Sequence, residues 1–393
     1  VTTLSKFLDL PRKTREARGW LHTPAEIAQQ PETWKMTLAN FERDQERIRR
    51  FLEEVGVRSG LEQRPAVMLI GAGSSDYIGH AVEFVLRQGW GCEVSAVAST
   101  EMLPNMEEYV APGRRYLWIS FSRSGDSPEG VAVLEQALAT HPEIAHLVVT
   151  CNAAGRMAAV CEGVQRACVV VLDDAVNDRS LAMTSSFTNM VVLGHCLANA
   201  WSLEAYRPVL AQLVHAGEAL LMRGAAIAEE VAQGSYARVC FVGSGSLASV
   251  AKESALKVLE MTAGQVKTMS ETVLGLRHGP MAALDEQTLF VCFVSGDSRR
   301  RQYARDLLRE IGAKQIVARR IAVGPASAEQ ELAGDCDVFL PLLAEVEDAY
   351  RPALDVVFGQ LLGLYCSVAH GLQPDSPSPD GVINRVVQEF QIY

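Results

Sequence analysis

The chain alternates between short, wholly apolar runs and longer stretches in which apolar residues recur every three to four positions. Ala66-Val67-Met68-Leu69-Ile70 is a run of the first kind. After Gly71-Ala72-Gly73-Ser74-Ser75 the apolar residues fall at Ile78, Ala81, Val82, Val85 and Leu86. That pattern predicts a buried strand, a tight glycine turn and a helix with one apolar face. The same order returns 172 residues later, counting from Gly71 to Gly243. There Arg238-Val239-Cys240-Phe241-Val242 leads into Gly243-Ser244-Gly245-Ser246 and a helical face through Leu247, Val250, Ala251 and Leu256. In each half a further apolar strand runs into Ser-Gly-Asp-Ser, at 124–127 and at 295–298. Strand-like runs at 146–150, 167–172, 315–318 and 338–340 continue the alternation with helical stretches. The expected fold class is α/β, with two tandem doubly wound, flavodoxin-like parallel-sheet domains.

The expected boundaries are 46–210 for the first domain and 211–370 for the second. Residues 1–45 look like a peripheral, polar, partly helical extension punctuated by Pro11, Pro24 and Pro31, and 371–393 form a tail. In this architecture ligands bind beyond the carboxyl ends of the strands, where both glycine turns and both Ser-Gly-Asp-Ser loops fall. The first such loop is the more informative. Tyr116-Leu117-Trp118-Ile119 empties into Ser120-Phe121-Ser122-Arg123-Ser124-Gly125-Asp126-Ser127-Pro128-Glu129-Gly130. Hydroxyls donate hydrogen bonds, Gly125 lets the backbone turn N–H groups inward, and Asp126 or Ser127 can cap the following helix. Its positive end favours a phosphate. A Gly-x-Gly turn after a strand also suits a dinucleotide fold. Here Gly71-Ala72-Gly73 lacks the third glycine, and no acidic ribose-binding residue is evident at the end of the next strand. Purely structural turns remain the plainer alternative.

Composition narrows the classes. With 393 residues the chain has room for two cores, and 48% hydrophobic with 21% charged residues is ordinary for a globular protein. A net charge of −11 with no basic tract argues against nucleic acid as a partner. Nine cysteines lie singly, mostly in apolar runs and with no Cys-x-x-Cys, which suits buried, reduced thiols. No apolar run approaches the roughly 18 residues that span a bilayer, and no signal peptide is visible, so no membrane association and a cytoplasmic location are expected. The histidines show no metal-ligand spacing; neither metal nor cofactor is expected.

The phosphate loop does no chemistry, so the reacting groups lie elsewhere. Lys257 and Glu260 stand three apart in Lys252-Glu253-Ser254-Ala255-Leu256-Lys257-Val258-Leu259-Glu260 and share a helix face. Glu253 precedes Lys257 by four, so a solvated surface pair is the plain alternative. His278, in Gly275-Leu276-Arg277-His278-Gly279-Pro280, belongs to a Thr/Ser/Gly-rich, non-periodic stretch at 262–280 that reads as a functional loop. A carboxylate, a lysine and a histidine near a phosphate cradle can open a sugar ring, shuttle a proton between adjacent carbons and stabilise the developing enolate.

These residues resemble the sugar isomerase (SIS) domain family in its double-domain form, exemplified by the isomerase half of glucosamine-6-phosphate synthase. Within it they are most similar to the group of D-galactosamine-6-phosphate deaminases and tagatose-6-phosphate ketose/aldose isomerases. The similarity runs from about Thr23 to the C-terminus and includes Ala182-Met183-Thr184-Ser185-Ser186 and Asn384-Arg385-Val386-Val387-Gln388. It implies that Ser75, Ser122, Ser124 and Ser127 hold the phosphate, with Arg123 adding charge where the synthase has glutamine. Glu260 is implied as the base working between C1 and C2, Lys257 as its neighbour, and His278 as the ring-opening group donated by a neighbouring subunit. A homodimer with a shared active site follows. Arg385, where the synthase has lysine, and Asn384 would close over the sugar in the tail, and Thr184 and Ser185 would contact its hydroxyls. Satisfied hydroxyls at a helix N-terminus are the alternative for those two. The chain begins Val1-Thr2-Thr3, and no glutaminase domain to supply ammonia is expected. The expected activity is therefore deamination of galactosamine 6-phosphate to tagatose 6-phosphate, or of another hexosamine or fructosamine 6-phosphate. A non-catalytic sugar-phosphate sensor is the alternative of a different class.

Overall fold

Both Gly-x-Gly turns sit at the carboxyl end of the first strand of a parallel sheet, and the two glycines of each serve different needs. A Cβ on Gly71 would lie 2.3 Å from the Ser75 carbonyl carbon, and one on Gly243 would lie 2.2 Å from the Leu247 carbonyl oxygen. The helix must start that close to the strand, so the first glycine is a matter of space. Gly73 and Gly245 instead adopt φ of 57° and 59°, which a side chain disfavours.

The computed structural model describes residues 4–234, 236–378, 381–383, 385 and 391–393. They fall into two units. The first, built from 33–177, 185–207 and the residues from 384 on, carries strands β1 (Ala66–Gly71), β2 (Val94–Ala98), β3 (Tyr116–Ser122), β4 (Ala145–Thr150) and β5 (Ala167–Val171). They pair in the order β2-β1-β3-β4-β5, all parallel. The second, built from the residues up to 32, 178–184 and 208–383, carries β6 (Arg238–Gly243), β7 (Lys267–Thr272), β8 (Thr288–Phe293), β9 (Arg319–Pro325) and β10 (Val338–Leu342). Read from β7, its order is β7-β6-β8-β9-β10, again all parallel. Each unit is a flavodoxin-like α/β domain, with the strand order reversing beside β1 and beside β6.

Alternating strand residues build a core on each face of each sheet. In the first, Met68, Ile70, Tyr116 and Trp118 pack with Met102, Met106, Val133 and Ala137. In the second, Cys240, Val242, Phe290 and Cys292 pack on Ala304, Leu307, Leu308 and Ile311 of the helix Ser298–Lys314. The opposite side holds Phe241 and Phe293, stacked 6.3 Å apart. The helix Ser246–Met261 packs on β6 and β7 and also lies against the helix Pro352–Ala369.

Four expectations are corrected. The run at 315–318 is not a strand: Gln315 ends the preceding helix in the left-handed region at φ 52°, and the strand is Arg319–Pro325. The stretch 262–280 is not all loop, because Lys267–Thr272 forms β7, an edge strand pairing only with β6 and half-exposed, which is why its sequence is polar. Pro352–Ala369 is long and apolar enough to cross a membrane, yet Pro352 through Ser367 are buried in the second unit, as suits a core helix. The first 45 residues are not merely peripheral: Phe7, Ile27, Trp34 and Phe41 are buried.

Glu26 shows what this N-terminal region does. Its buried carboxylate accepts hydrogen bonds from the Arg179 and Ser180 N–H groups and from the Ser180 hydroxyl. Asp178 accepts in turn from the Thr184 N–H at 2.8 Å and hydroxyl at 3.1 Å. Asp375 accepts from the N–H groups of Leu21, His22 and Thr23, and its carbonyl takes the Leu181 N–H. Segments distant in sequence thus pin the loop 178–184.

Two outcomes follow. Burial first, then the charge of Asp178, pushes the Glu26 pKa up to about 7 from an ordinary 4.5. The folded chain therefore holds that proton more tightly than the unfolded one, and stability falls as pH rises from 4.5 towards 7, then levels. Glu26→Gln should remove that falling arm, on the order of 3 kcal/mol between pH 5 and 8 in denaturant titrations; parallel curves for the two proteins would show an ordinary Glu26. Separately, a Cβ on Gly359 would meet Ser254 Oγ at 2.2 Å and Ser254 Cα at 2.8 Å. Gly359→Ala should cost about 1–3 kcal/mol in thermal unfolding, whereas Gly60→Ala, with open space around it, should change little.

Candidate active site

In the first unit, the helix Ser74–Trp90 starts directly after the Gly71–Gly73 turn and places Ser75, buried, in its first turn. β3 ends at Ser122, and the chain turns through Gly125 at φ 70°. The Ser122 hydroxyl accepts from the Gly125 N–H and the Ser124 hydroxyl from the Asp126 N–H, both at 3.1 Å. These bonds fix the loop and leave each hydroxyl its own proton to donate. Ser127 occupies the cap position of the helix Pro128–Thr140 but makes no side-chain cap bond. Asp126 does not cap that helix either: its carboxylate takes the Arg156 N–H at 2.8 Å, opening the helix Arg156–Val160. The loop, the helix start at Ser74 and these serines therefore lie at the carboxyl ends of the adjacent strands β1 and β3, the region where this fold class binds ligands.

Arg123 is buried, and its Nη2 donates to the carbonyl of Arg385 at 2.7 Å. Arg385 in turn donates from Nη2 to Asn177 Oδ1 at 2.7 Å. The structure thus brings the tail residue to the loop residue through its backbone, a link the sequence did not suggest. Asn384 lies outside the described residues. A cleft of about 470 Å³ beside Asp126, lined by Pro128, Val131, Glu135, Arg156 and Ile392, contains none of the predicted serines.

In the second unit, Lys257 is fully buried on the helix Ser246–Met261. Its ammonium lies 3.2 Å from Glu253 Oε1 and 2.6 Å from Glu260 Oε2, while the Glu260 side chain remains 29% exposed. The solvated pair allowed by the sequence is therefore not what forms; the Glu253–Lys257 pair is dry. Burial works against the ammonium, but Glu253 and Glu260 outweigh it and hold the Lys257 pKa above its usual range. The lysine stays charged and presents one carboxylate at an accessible edge.

His278 is exposed between two short 3-10 turns, Gly275–Arg277 and Pro280–Ala283, with Gly279 at φ 120° behind it. Leu276 anchors this tip in the core and Arg277 pairs with Glu310 at 2.9 Å. Among the described residues no hydrogen bond or ion pair joins His278 to Lys257 or Glu260. Thr184 and Ser185 are fully buried. Thr184 is bound to Asp178, and its carbonyl accepts from Gln360 at 3.2 Å. Ser185 begins the helix Ser185–Ala198, and its carbonyl accepts from Asn189 at 2.8 Å. Sequence reasoning missed Glu26, Asp178 and Asp375, whose partners lie up to 354 residues away.

No family model matches the chain. It is 38% identical over 375 residues, 95% of each chain, to a candidate D-galactosamine-6-phosphate deaminase AgaS of Streptomyces coelicolor. It is 35% identical over 376 residues, 94% of this chain and 95% of the other, to the D-galactosamine-6-phosphate deaminase AgaS of Escherichia coli. Among solved structures, a candidate tagatose-6-phosphate ketose/aldose isomerase of Clostridium novyi superposes with a TM-score of 0.90 at 29% identity, over 96% of both chains. Identity at this level over nearly the whole length, with the same two-domain fold, settles kinship: the chain belongs to the double SIS-domain family, in the AgaS group of amino-sugar-phosphate isomerases and deaminases.

Proposed function

We propose that this enzyme converts galactosamine 6-phosphate and water to tagatose 6-phosphate and ammonia. The observation that carries the reading is the buried ammonium of Lys257 holding the part-exposed carboxylate of Glu260 at 2.6 Å. A carboxylate fixed beside a permanent charge, with one edge accessible, suits repeated proton transfer between neighbouring carbons. The names of the relatives at 38% and 35% identity support the substrate.

In the proposed sequence Ser75, Ser122, Ser124 and Ser127 donate to the phosphate, with the helix N-termini adding positive potential. His278 moves a proton from the anomeric hydroxyl to the ring oxygen and opens the sugar. Glu260 removes the C2 proton of the open 2-amino aldehyde, giving an enolamine, and returns a proton to C1. The product is a 2-imine; water adds to C2 and ammonia departs, leaving the ketose. Lys257 has no exposed surface, so it acts as a positioning residue through Glu260. Thr184 and Ser185 are buried with hydroxyls bonded to Asp178 and Asn189, which favours the reading of satisfied hydroxyls at a helix start over contact with the sugar. His278 serves the active site of a neighbouring subunit in a homodimer, a role its exposed position supports.

Three measurements test this. A coupled ammonia assay should detect release from galactosamine 6-phosphate in preference to its C4 epimer; ketose formation without ammonia would identify a plain isomerase, and no turnover at millimolar substrate would refute the substrate. Glu260→Gln should lower kcat by about 10²–10⁴-fold while substrate still binds. Mixing inactive Glu260→Gln and His278→Ala chains should restore part of the activity, because some hybrid sites then contain both intact groups. A mixture as inactive as its components would place both residues in one chain's site.

A further inference from the structure

The Ser-Gly-Asp-Ser loop occurs twice, and the second copy has no part in the reaction above. Its first serine stands two residues past the strand in both cases: Ser124 after Ser122 of β3, and Ser295 after Phe293 of β8. Both loops lead into a helix, Pro128–Thr140 or Ser298–Lys314, and both follow a strand next to a Gly-x-Gly turn. The sites beside them differ. A Cβ on Gly73 of the first turn would meet open space, whereas one on Gly245 of the second would meet Arg300 Nη1 at 3.3 Å.

Arg300 reaches across that turn because a negative charge lies beyond it. The carboxylate of Asp348, buried, accepts from the Ser295 hydroxyl and from the Gly296 N–H at 2.8 Å. Arg351 Nη1 approaches it at 3.1 Å and Arg300 Nη1 at 3.2 Å. The Asp297 N–H donates to Ser295 Oγ at 3.0 Å, holding that hydroxyl toward Asp348. One hydroxyl, one backbone N–H, two guanidinium groups and the start of a helix are the donors a bound phosphate would need. Here they surround a side chain of the same domain.

We infer that the second domain retains the anion cradle of the first and that Asp348 is its permanent occupant, a built-in carboxylate standing where the first domain would take a phosphate. The second site is thereby closed to phosphosugars and turned to a structural use. Asp348 lies just before Arg351, which forks to Asp355 one turn into the helix Pro352–Ala369 at 3.2 and 2.6 Å and also donates to the Val294 carbonyl at 2.8 Å. The captive anion thus ties the end of β8 to the start of the helix that packs on the Lys257–Glu260 helix.

Removing the carboxylate should reopen an inorganic-phosphate site. The experiment is equilibrium dialysis of labelled phosphate against the full chain, its Asp348→Gly variant and its Asp348→Asn variant. Asp348→Gly should bind one more phosphate per chain than the unaltered protein, and Asp348→Asn, whose amide still fills the space, should gain none. Equal stoichiometry in all three, or an equal gain in both variants, would overturn the inference. The unaltered chain's own count rests on the phosphate role proposed for the first loop, and it is separable. No site there with one in Asp348→Gly leaves this inference standing and removes that role. If Asp348→Gly does not fold alone, refolding with and without phosphate reads the same point: recovery that requires phosphate supports the cradle, and failure in both refutes it.

Discussion

The burial of one ammonium group is the constraint around which the second domain is arranged. Lys257 has no exposed surface and remains charged because two carboxylates sit within 3.2 Å. Removing a partner from such a group typically costs about 3–5 kcal/mol, since the desolvated charge is then uncompensated. Helix geometry supplies both partners from the same face, at i−4 and i+3. Glu253 is buried with the lysine and offsets its charge, whereas Glu260 reaches the surface. The division of labour between two identical side chains comes from their depth.

Dryness at Lys257 requires a close cover. The helix Pro352–Ala369 can approach because Gly359 stands against Ser254 and Gly363 against the backbone of Lys257 itself, where a Cβ would lie 3.0 Å from the carbonyl oxygen. Those glycines weaken the helix they belong to, but they let two helices meet backbone to backbone. On the same helix Gln360 accepts from Gln30 of the N-terminal region at 2.7 Å and donates to the Thr184 carbonyl at 3.2 Å. The cover, the N-terminal segment and the loop 178–184 are therefore one mechanical assembly around the Lys257–Glu260 helix.

Much of this was legible in the sequence wherever the physics is local. The Gly-x-Gly turns, the apolar strands before them and the Lys257–Glu260 spacing each depend on neighbours a few residues away, and each appeared in the structure where expected. Properties set by distant partners were not legible. Nothing local distinguishes a wet Glu253–Lys257 pair from a dry one; the covering helix a hundred residues on decides it. Glu26 reads as an ordinary polar residue in an apparently peripheral segment, and only the loop 178–184 reveals its purpose. β7 escaped notice because an edge strand need not be apolar, and neither Asp126 nor Ser127 makes the side-chain cap its type allows, the Asp126 carboxylate being taken by the Arg156 N–H.

The duplication explains why so similar a pair of domains can do different work. A parallel sheet with a strand-order reversal always offers a crevice with a glycine turn on one side and a loop on the other. What the crevice does depends on whether its donors are satisfied internally. In the first domain the serine hydroxyls accept from backbone N–H groups and keep their protons to give. In the second, Ser295 gives its proton to Asp348, and two arginines complete the neutralisation. A single acidic residue following β10 fills the second crevice with a side chain of the same domain. The fold thus sets where the donors gather, and the sequence decides whether a side chain of the domain takes them up.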